Sequence, residues 1–253
     1  MIAVVLVHGG WHWGGCWDPV RQLLEQEGIT VYTPSLEQYR GSTLRRHVEQ
    51  VVDLIREEQL DRIVLVGHSY AGLVISGVLA RLPQRIHHTV FLDAVIPDAG
   101  RVPVAALMPR IGVYALQALN RIQPMWPVVI HAAGFGITDP SAAAWLNSHL
   151  RPQPGAPMVE PFPYAPVFEP AQCTFVFCRE PIRVTDPTRQ LGRIWSRLMP
   201  RSPLEIYARR AAAAGWQLHE LPIGHNAMVI APKQVAQIIQ AVLPLEGAMA
   251  DRP

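Results

Sequence analysis

The residues with the clearest chemical meaning run Val64-Leu-Val-Gly-His-Ser-Tyr-Ala-Gly-Leu73. An apolar, strand-like stretch ends at Gly67, and a helix-like stretch starts at Ala71. A serine between the two sits on a tight turn that lifts its hydroxyl out of the end of a sheet. Such a turn needs small neighbours, and Gly67 and Ala71 supply them. The pattern is G-x-S-x-A rather than G-x-S-x-G. A helix start just after Ser69 also favours negative charge there. The implied chemistry is nucleophilic attack by Ser69 on a carbonyl.

An attacking serine needs a base. Leu221-Pro-Ile-Gly-His-Asn-Ala-Met-Val-Ile230 places His225 in a loop between the last strand-like and the last helical segment. The other histidines have weaker claims: His68 flanks the serine and is expected to point away from the site, and His87 and His88 precede a strand and look superficial. His47 has no supporting context. No pair has metal-ligand spacing, so neither a metal nor a cofactor is expected.

The base needs a carboxylate to fix its tautomer. Three compete. Glu180 follows the strand-like Cys173 to Cys178 and is the first choice; Asp93 ends the segment Phe91-Leu-Asp-Ala94; Asp186 precedes Pro187 and looks like a helix cap. The oxyanion requires backbone donors. His8-Gly-Gly-Trp-His-Trp-Gly-Gly-Cys-Trp17 follows the first strand-like run, and its glycines allow close approach to a substrate. The amides of Gly10 and Tyr70 are the expected pair. Trp11, His12, Trp126 and Trp145 are the expected pocket residues.

These groups must be held by a scaffold, and the chain reads as alternating strands and helices. Ile2 to Val7, Thr30 to Tyr32, Arg62 to Val66 and Thr89 to Ala94 are strand-like. Helices are expected from Asp18-Pro19 to Gly28, from a Ser42 cap through Ile55, and over Ala71 to Leu82. Repeated units of this kind favour a parallel sheet covered on both faces. The pattern breaks from about 97 to 170, which holds thirteen of the 24 prolines among scattered aromatics. Proline at this density interrupts strands. The segment reads as an inserted cap of short helices and irregular loops within one domain. Beyond it, Cys173 to Cys178 and Trp216 to Leu221 are strands, with helices from Asp186-Pro187 and over Pro232 to Leu243.

Composition narrows the partners. The net charge is only +2 among 253 residues and no block of like charges occurs, which gives no case for nucleic acid. No apolar run is long enough to span a bilayer. Cys16, Cys173 and Cys178 form an odd set in a long chain, so a reduced, cytoplasmic setting is expected. A homodimer is allowed.

The His8–Trp17 loop, the Gly67–Gly72 turn, Phe91-Leu-Asp-Ala-Val-Ile-Pro-Asp-Ala-Gly100, Leu150-Arg-Pro-Gln-Pro154 and Gly224-His-Asn-Ala-Met228 together resemble one branch of the α/β-hydrolase superfamily. That branch holds pyrethroid hydrolases, plant salicylate methyl esterases and hydroxynitrile lyases. The resemblance implies the α/β-hydrolase fold and a Ser-His-acid hydrolase of small, mainly apolar carboxylic esters. Esterases of this type carry an aspartate where Pro181 stands, one residue beyond Glu180. The lyases carry a threonine at the place of Gly9 and a lysine at that of Asn226, which argues against cyanohydrin cleavage. Other non-hydrolytic reactions (lyase, cyclase or acyltransferase) and a ligand-binding receptor are the alternatives.

Overall fold

A computed structural model describes residues 3–185 and 202–244. Six strands form one sheet: β1 (Ala3–Val7), β2 (Thr30–Tyr32), β3 (Ile63–His68), β4 (Ile86–Leu92), β7 (Cys173–Cys178) and β8 (Gln217–Leu221). Their spatial order is β2-β1-β3-β4-β7-β8, and every neighbouring pair is parallel. The chain winds one way from β1 to β2 and the other way from β3 onward. Loops after β1 and β3 therefore part at this switch, and a crevice opens at the strand ends.

The inner strands are largely apolar on both faces because helices cover both. Val5, Val7, Leu65 and Phe91 face a layer that includes α2 (Leu44–Glu57), α3 (Ala71–Arg81) and α7 (Glu205–Ala213). Val4, Leu6, Val64, Val66 and Val176 face α1 (Asp18–Gln26) and α8 (Pro232–Ala241). Continuous apolar runs such as Ala3–Val7 follow from this double burial.

Several expectations shift in detail. Thr43, not Ser42, caps α2: its hydroxyl accepts from the Arg46 amide at 3.2 Å. Asp18 is the first residue inside α1 rather than its cap. β4 starts at Ile86, so His87 and His88 lie within it; His88 is buried and its Nε2 meets the Thr174 hydroxyl at 2.8 Å. The helix expected from Asp186 lies outside the described residues.

Between β4 and β7 the chain makes α4 (Arg110–Ile122), α5 (Pro140–His149), the short α6 (Ala156–Val159) and a two-stranded antiparallel ribbon of β5 (Met125–Trp126) and β6 (Gln153–Pro154). None of these joins the main sheet. Two small apolar clusters hold the segment: Phe135, Ile137 and Leu146 in one, Val104, Val113 and Val159 in the other. No described helix is long and apolar enough to cross a membrane.

Candidate active site

Ser69 follows β3 and adopts φ 55°, a left-handed conformation rare for a residue with a side chain. Neighbouring backbone holds it there. Its N–H donates to the Leu92 carbonyl at 3.1 Å, and its carbonyl accepts from Gly72 and Val95, each at 3.1 Å. α3 then begins at Ala71, with its N-terminal amides beside the serine. Ser69 is half-buried, while its neighbours His68 and Tyr70 are buried. Among the described residues no group hydrogen-bonds to Ser69 Oγ.

His225 lies at the same sheet end, 2 % exposed. Its Nδ1 is 2.6 Å from Asp93 Oδ2, and both side chains are sealed from solvent. Asp93 stands just past β4 at φ 43°. Its N–H bonds to the Val176 carbonyl at 2.7 Å, and its Oδ1 accepts from the Cys178 amide at 3.3 Å. The carboxylate is thus wedged between β4 and β7. Burial raises its pKa, opposed by His225 and by the Cys178 amide.

The expected acid, Glu180, does not meet the histidine. Its side chain is exposed, and its backbone N–H is tied to the Ile223 carbonyl at 3.2 Å. The neighbouring Arg179 pairs with Glu220 rather than with Glu180. A position just past β7 aims Glu180 outward, whereas the left-handed turn at Asp93 aims its carboxylate beneath His225. Asp186 lies outside the described residues.

The loop after β1 comes very close to the serine. A Cβ placed on Gly9 would stand 3.0 Å from Ser69 Cβ and 2.8 Å from His68 Nδ1. His8 Nδ1 is 2.8 Å from the Gly9 carbonyl, and its Nε2 accepts from the Leu36 amide at 2.9 Å. A carbonyl must be met by an N–H, so Nδ1 carries the proton. Pinning the Gly9 carbonyl aims the N–H of Gly10 the opposite way, because the two are antiparallel across a trans peptide.

His12, expected in the pocket, is a strut instead. Its Nδ1 donates to the Gly10 carbonyl at 2.6 Å and its Nε2 accepts from Asn226 Nδ2 at 2.9 Å. The strut ties the glycine loop to the residue after His225. Burial keeps both struts neutral, with the His8 pKa pushed down to about 4 and that of His12 to about 3. His68 does not point away. Its Nε2 donates to the His225 carbonyl at 3.0 Å, and its ring centre lies 4.4 Å from that of His225, the two rings tilted by 42°. His47 also gains a context: its Nε2 donates to the Glu37 carbonyl at 2.7 Å, and its Nδ1 accepts from the Tyr70 hydroxyl at 2.7 Å.

The tryptophans of the expected pocket serve as ties and packing. Trp11 Nε1 donates to the Pro127 carbonyl at 3.0 Å, Trp126 packs in the Val104 cluster, and Trp145 packs against Trp13. The cavity beside Gly10, of about 10 Å³, is lined instead by His8, Gly9, Leu36, Gln38, His47, Tyr70, Gln153 and Pro154. Two larger hollows, of about 470 and 590 Å³, include none of the site residues. Sequence reasoning gave Gln153, Asn226 and His47 no role. Each acts through a partner distant in the chain, so local pattern carries no signal for it.

Comparison with known proteins gives the family and the fold. The model of the alpha/beta hydrolase family matches residues 4–238, and the chain belongs to that family. It is 29% identical to a carbendazim hydrolyzing esterase of Nocardioides sp. (strain SG-4G), over 96% of this chain and 100% of that one. It is 34% identical to methylesterase 1 of Arabidopsis thaliana, over 39% of this chain and 41% of that one. Its fold matches an extracellular alpha/beta-hydrolase from a Paenibacillus species with a TM-score of 0.71 at 21% identity, covering 97% of this chain and 100% of that one. It also matches a pyrethroid hydrolase from Sphingobium faniae JZ-2 with a TM-score of 0.64 at 17% identity, over 95% of this chain and 97% of that one.

Proposed function

We propose that this member of the alpha/beta hydrolase family is a serine hydrolase of small, mainly apolar carboxylic esters, with Ser69 as nucleophile, His225 as base and Asp93 as acid. One observation carries the reading: the buried 2.6 Å contact of His225 Nδ1 with Asp93, at the sheet end where Ser69 stands on a strained turn. The family match and the esterase names of its relatives support it.

The chemistry follows from the geometry. Ser69 Oγ attacks the ester carbonyl as His225 Nε2 takes its proton. Asp93 holds Nδ1–H and steadies the imidazolium. The amides of Gly10 and Tyr70 receive the oxyanion. The alcohol leaves with the proton from His225, and an acyl group remains on Ser69. Water, deprotonated by the same histidine, then releases the acid. The hydrogen bond from Ser69 Oγ to His225 Nε2 forms when substrate enters.

The segment between β4 and β7 acts as a cap. Its Gln153 lies on Gly10, its Phe135 ring is 5.9 Å from that of His225, and its Arg151 amide bonds to the Trp11 carbonyl at 2.9 Å. The non-hydrolytic reading drew support from an uncertain acid, which the Asp93–His225 pair removes, and an intact serine and histidine count against a receptor. The test is Ser69→Ala on p-nitrophenyl esters, together with fluorophosphonate labelling. Turnover should vanish, and the label should sit on Ser69 alone. Wild-type rates in the variant would refute the assignment.

A further inference from the structure

Of the seven large apolar side chains exposed among the described residues, four stand on α4: Ile111, Tyr114, Leu119 and Ile122. With the exposed Ala115 and Ala118 they follow the three- and four-residue spacing of a single helix face. None of the six belongs to an apolar cluster of the described residues. The other side of α4 is anchored. Val113 and Leu116 pack in the Val104 cluster, and Gln117 Nε2 donates to the Val159 carbonyl at 2.9 Å. The helix is thus fixed to the protein by one face and shows water a continuous apolar stripe with the other. A contiguous exposed patch of this kind marks an interaction surface.

Charge says what the stripe meets. Arg110 and Arg121 are exposed and stand eleven residues apart, three helical turns, so they lie along the same edge of the stripe. Among the described residues neither is paired with a carboxylate. No aspartate or glutamate occurs from 99 to 138. Residues 99–159 as a whole carry Arg101, Arg110, Arg121 and Arg151 against Asp139 alone. That is an excess of three positive charges, while the rest of the chain has one negative charge in excess. The small net charge of +2 therefore hides a basic segment that also bears the apolar stripe.

We propose that the outward face of α4 docks on an anionic lipid surface. A helix with an apolar face and arginines along its edge lies in the plane of such a surface, with the apolar side chains among the acyl chains and the guanidinium groups at the phosphates. Tyr114 suits the boundary, since its ring is apolar and its hydroxyl polar. A second copy of this chain fits worse. Packed antiparallel on the same face, it would set Arg110 of one helix beside Arg121 of the other, with no carboxylate on either helix. The contact is one of lying on the membrane. The thirteen residues of α4 extend about 20 Å, and no described helix is long and apolar enough to cross.

The experiment floats the full chain with vesicles of phosphatidylcholine alone and of phosphatidylcholine with equimolar phosphatidylglycerol. The mixed vesicles should bind it at least about tenfold more tightly, since each arginine near an anionic surface raises affinity about fivefold, and added salt should weaken the binding. The double variant Ile111→Ser/Ile122→Ser, whose changes lie on the exposed face, should unfold at the wild-type urea concentration and bind the mixed vesicles at least about tenfold more weakly. Arg110→Gln/Arg121→Gln should shrink the preference for phosphatidylglycerol. An environment-sensitive dye on Ile122→Cys should shift to the blue on mixed vesicles, and the three native cysteines are buried away from the label. A wild type that ignores mixed vesicles, or serine substitutions that leave binding unchanged, would overturn the proposal. So would sedimentation of the wild type as a dimer that the serine substitutions split, which would give the face to a second copy.

Discussion

The floor of the site and the segment over it are built on opposite principles. Around Ser69 and His225 the buried polar side chains are cross-tied: Asp93 to His225 and Cys178, His8 to Gly9 and Leu36, His12 to Gly10 and Asn226, while His68 Nδ1 and Asn226 Oδ1 stay without a partner. Beneath them lies α3, with Leu73, Val74 and Ile75 fully buried. In the segment between β4 and β7, α4 carries Ile111 at 77%, Tyr114 at 64% and Ile122 at 84% exposure. Only Val113 of that helix is buried. The difference shows where each kind of constraint is needed. Charge development in a transition state demands fixed dipoles and a fixed tautomer, and only a dense core supplies them. Substrate choice needs shape and a few polar contacts, which a loosely packed insertion provides.

The comparison breaks most sharply at the acid. Asp93→Asn should keep the fold and lower kcat roughly 10⁴-fold, about 5.5 kcal/mol, because the histidine loses its tautomer. Glu180→Gln, on the exposed side of β7, should stay within about threefold. Steady-state kinetics of the two variants decides the matter. The reverse ranking would restore Glu180 as the acid.

Acid should dismantle the floor before the cap. His8 and His12 have folded pKa values of about 4 and about 3, below the ordinary 6.5. Between those values and 6.5 the unfolded chain binds protons that the folded chain does not, so stability falls as pH falls through this window. Asp93 works the other way: its raised pKa lets the folded form take its proton first, which offsets part of the loss. From His8 and His12, less the Asp93 offset, a loss of roughly 3–5 kcal/mol is expected between pH 7 and pH 4.5, and the lowered pKa values of His47, His68 and His88 act in the same direction. Urea unfolding at stepped pH measures it, and His12→Asn, whose side chain does not titrate, should flatten the curve. A curve unchanged by His12→Asn would mean that His12 is not a buried neutral strut.

Packing sharpens the contrast further. Leu73→Ala under the nucleophile turn should cost about 2–5 kcal/mol by leaving a cavity. The smallest effect is expected from Ile122→Ala on α4, within about 0.5 kcal/mol, since that side chain already meets solvent. Chemical denaturation of both variants checks the pair, and equal losses would mean that α4 is as tightly packed as α3.

Ser69, His225 and the glycine loop were legible because each is encoded locally. A strand, a small-residue turn and a helix start lie side by side in the sequence, and their order along the chain fixes which loops share a sheet end. The alternation of strands and helices also gave the parallel sheet and the interruption between β4 and β7. The choice among Asp93, Glu180 and Asp186 was not local. It turned on which strand lies next to which, and on a left-handed backbone at Asp93 that no residue type at that position announces. The same holds for His68, buried against His225 rather than turned away, and for His12, held by Asn226. Gln153 is the extreme case, since nothing near it in the chain foretells that a two-residue strand will lay its amide on Gly10. Local sequence sets backbone turns and the sides of strands. Which buried polar group meets which is decided by burial itself, because only the packed chain removes the water that would otherwise satisfy them all.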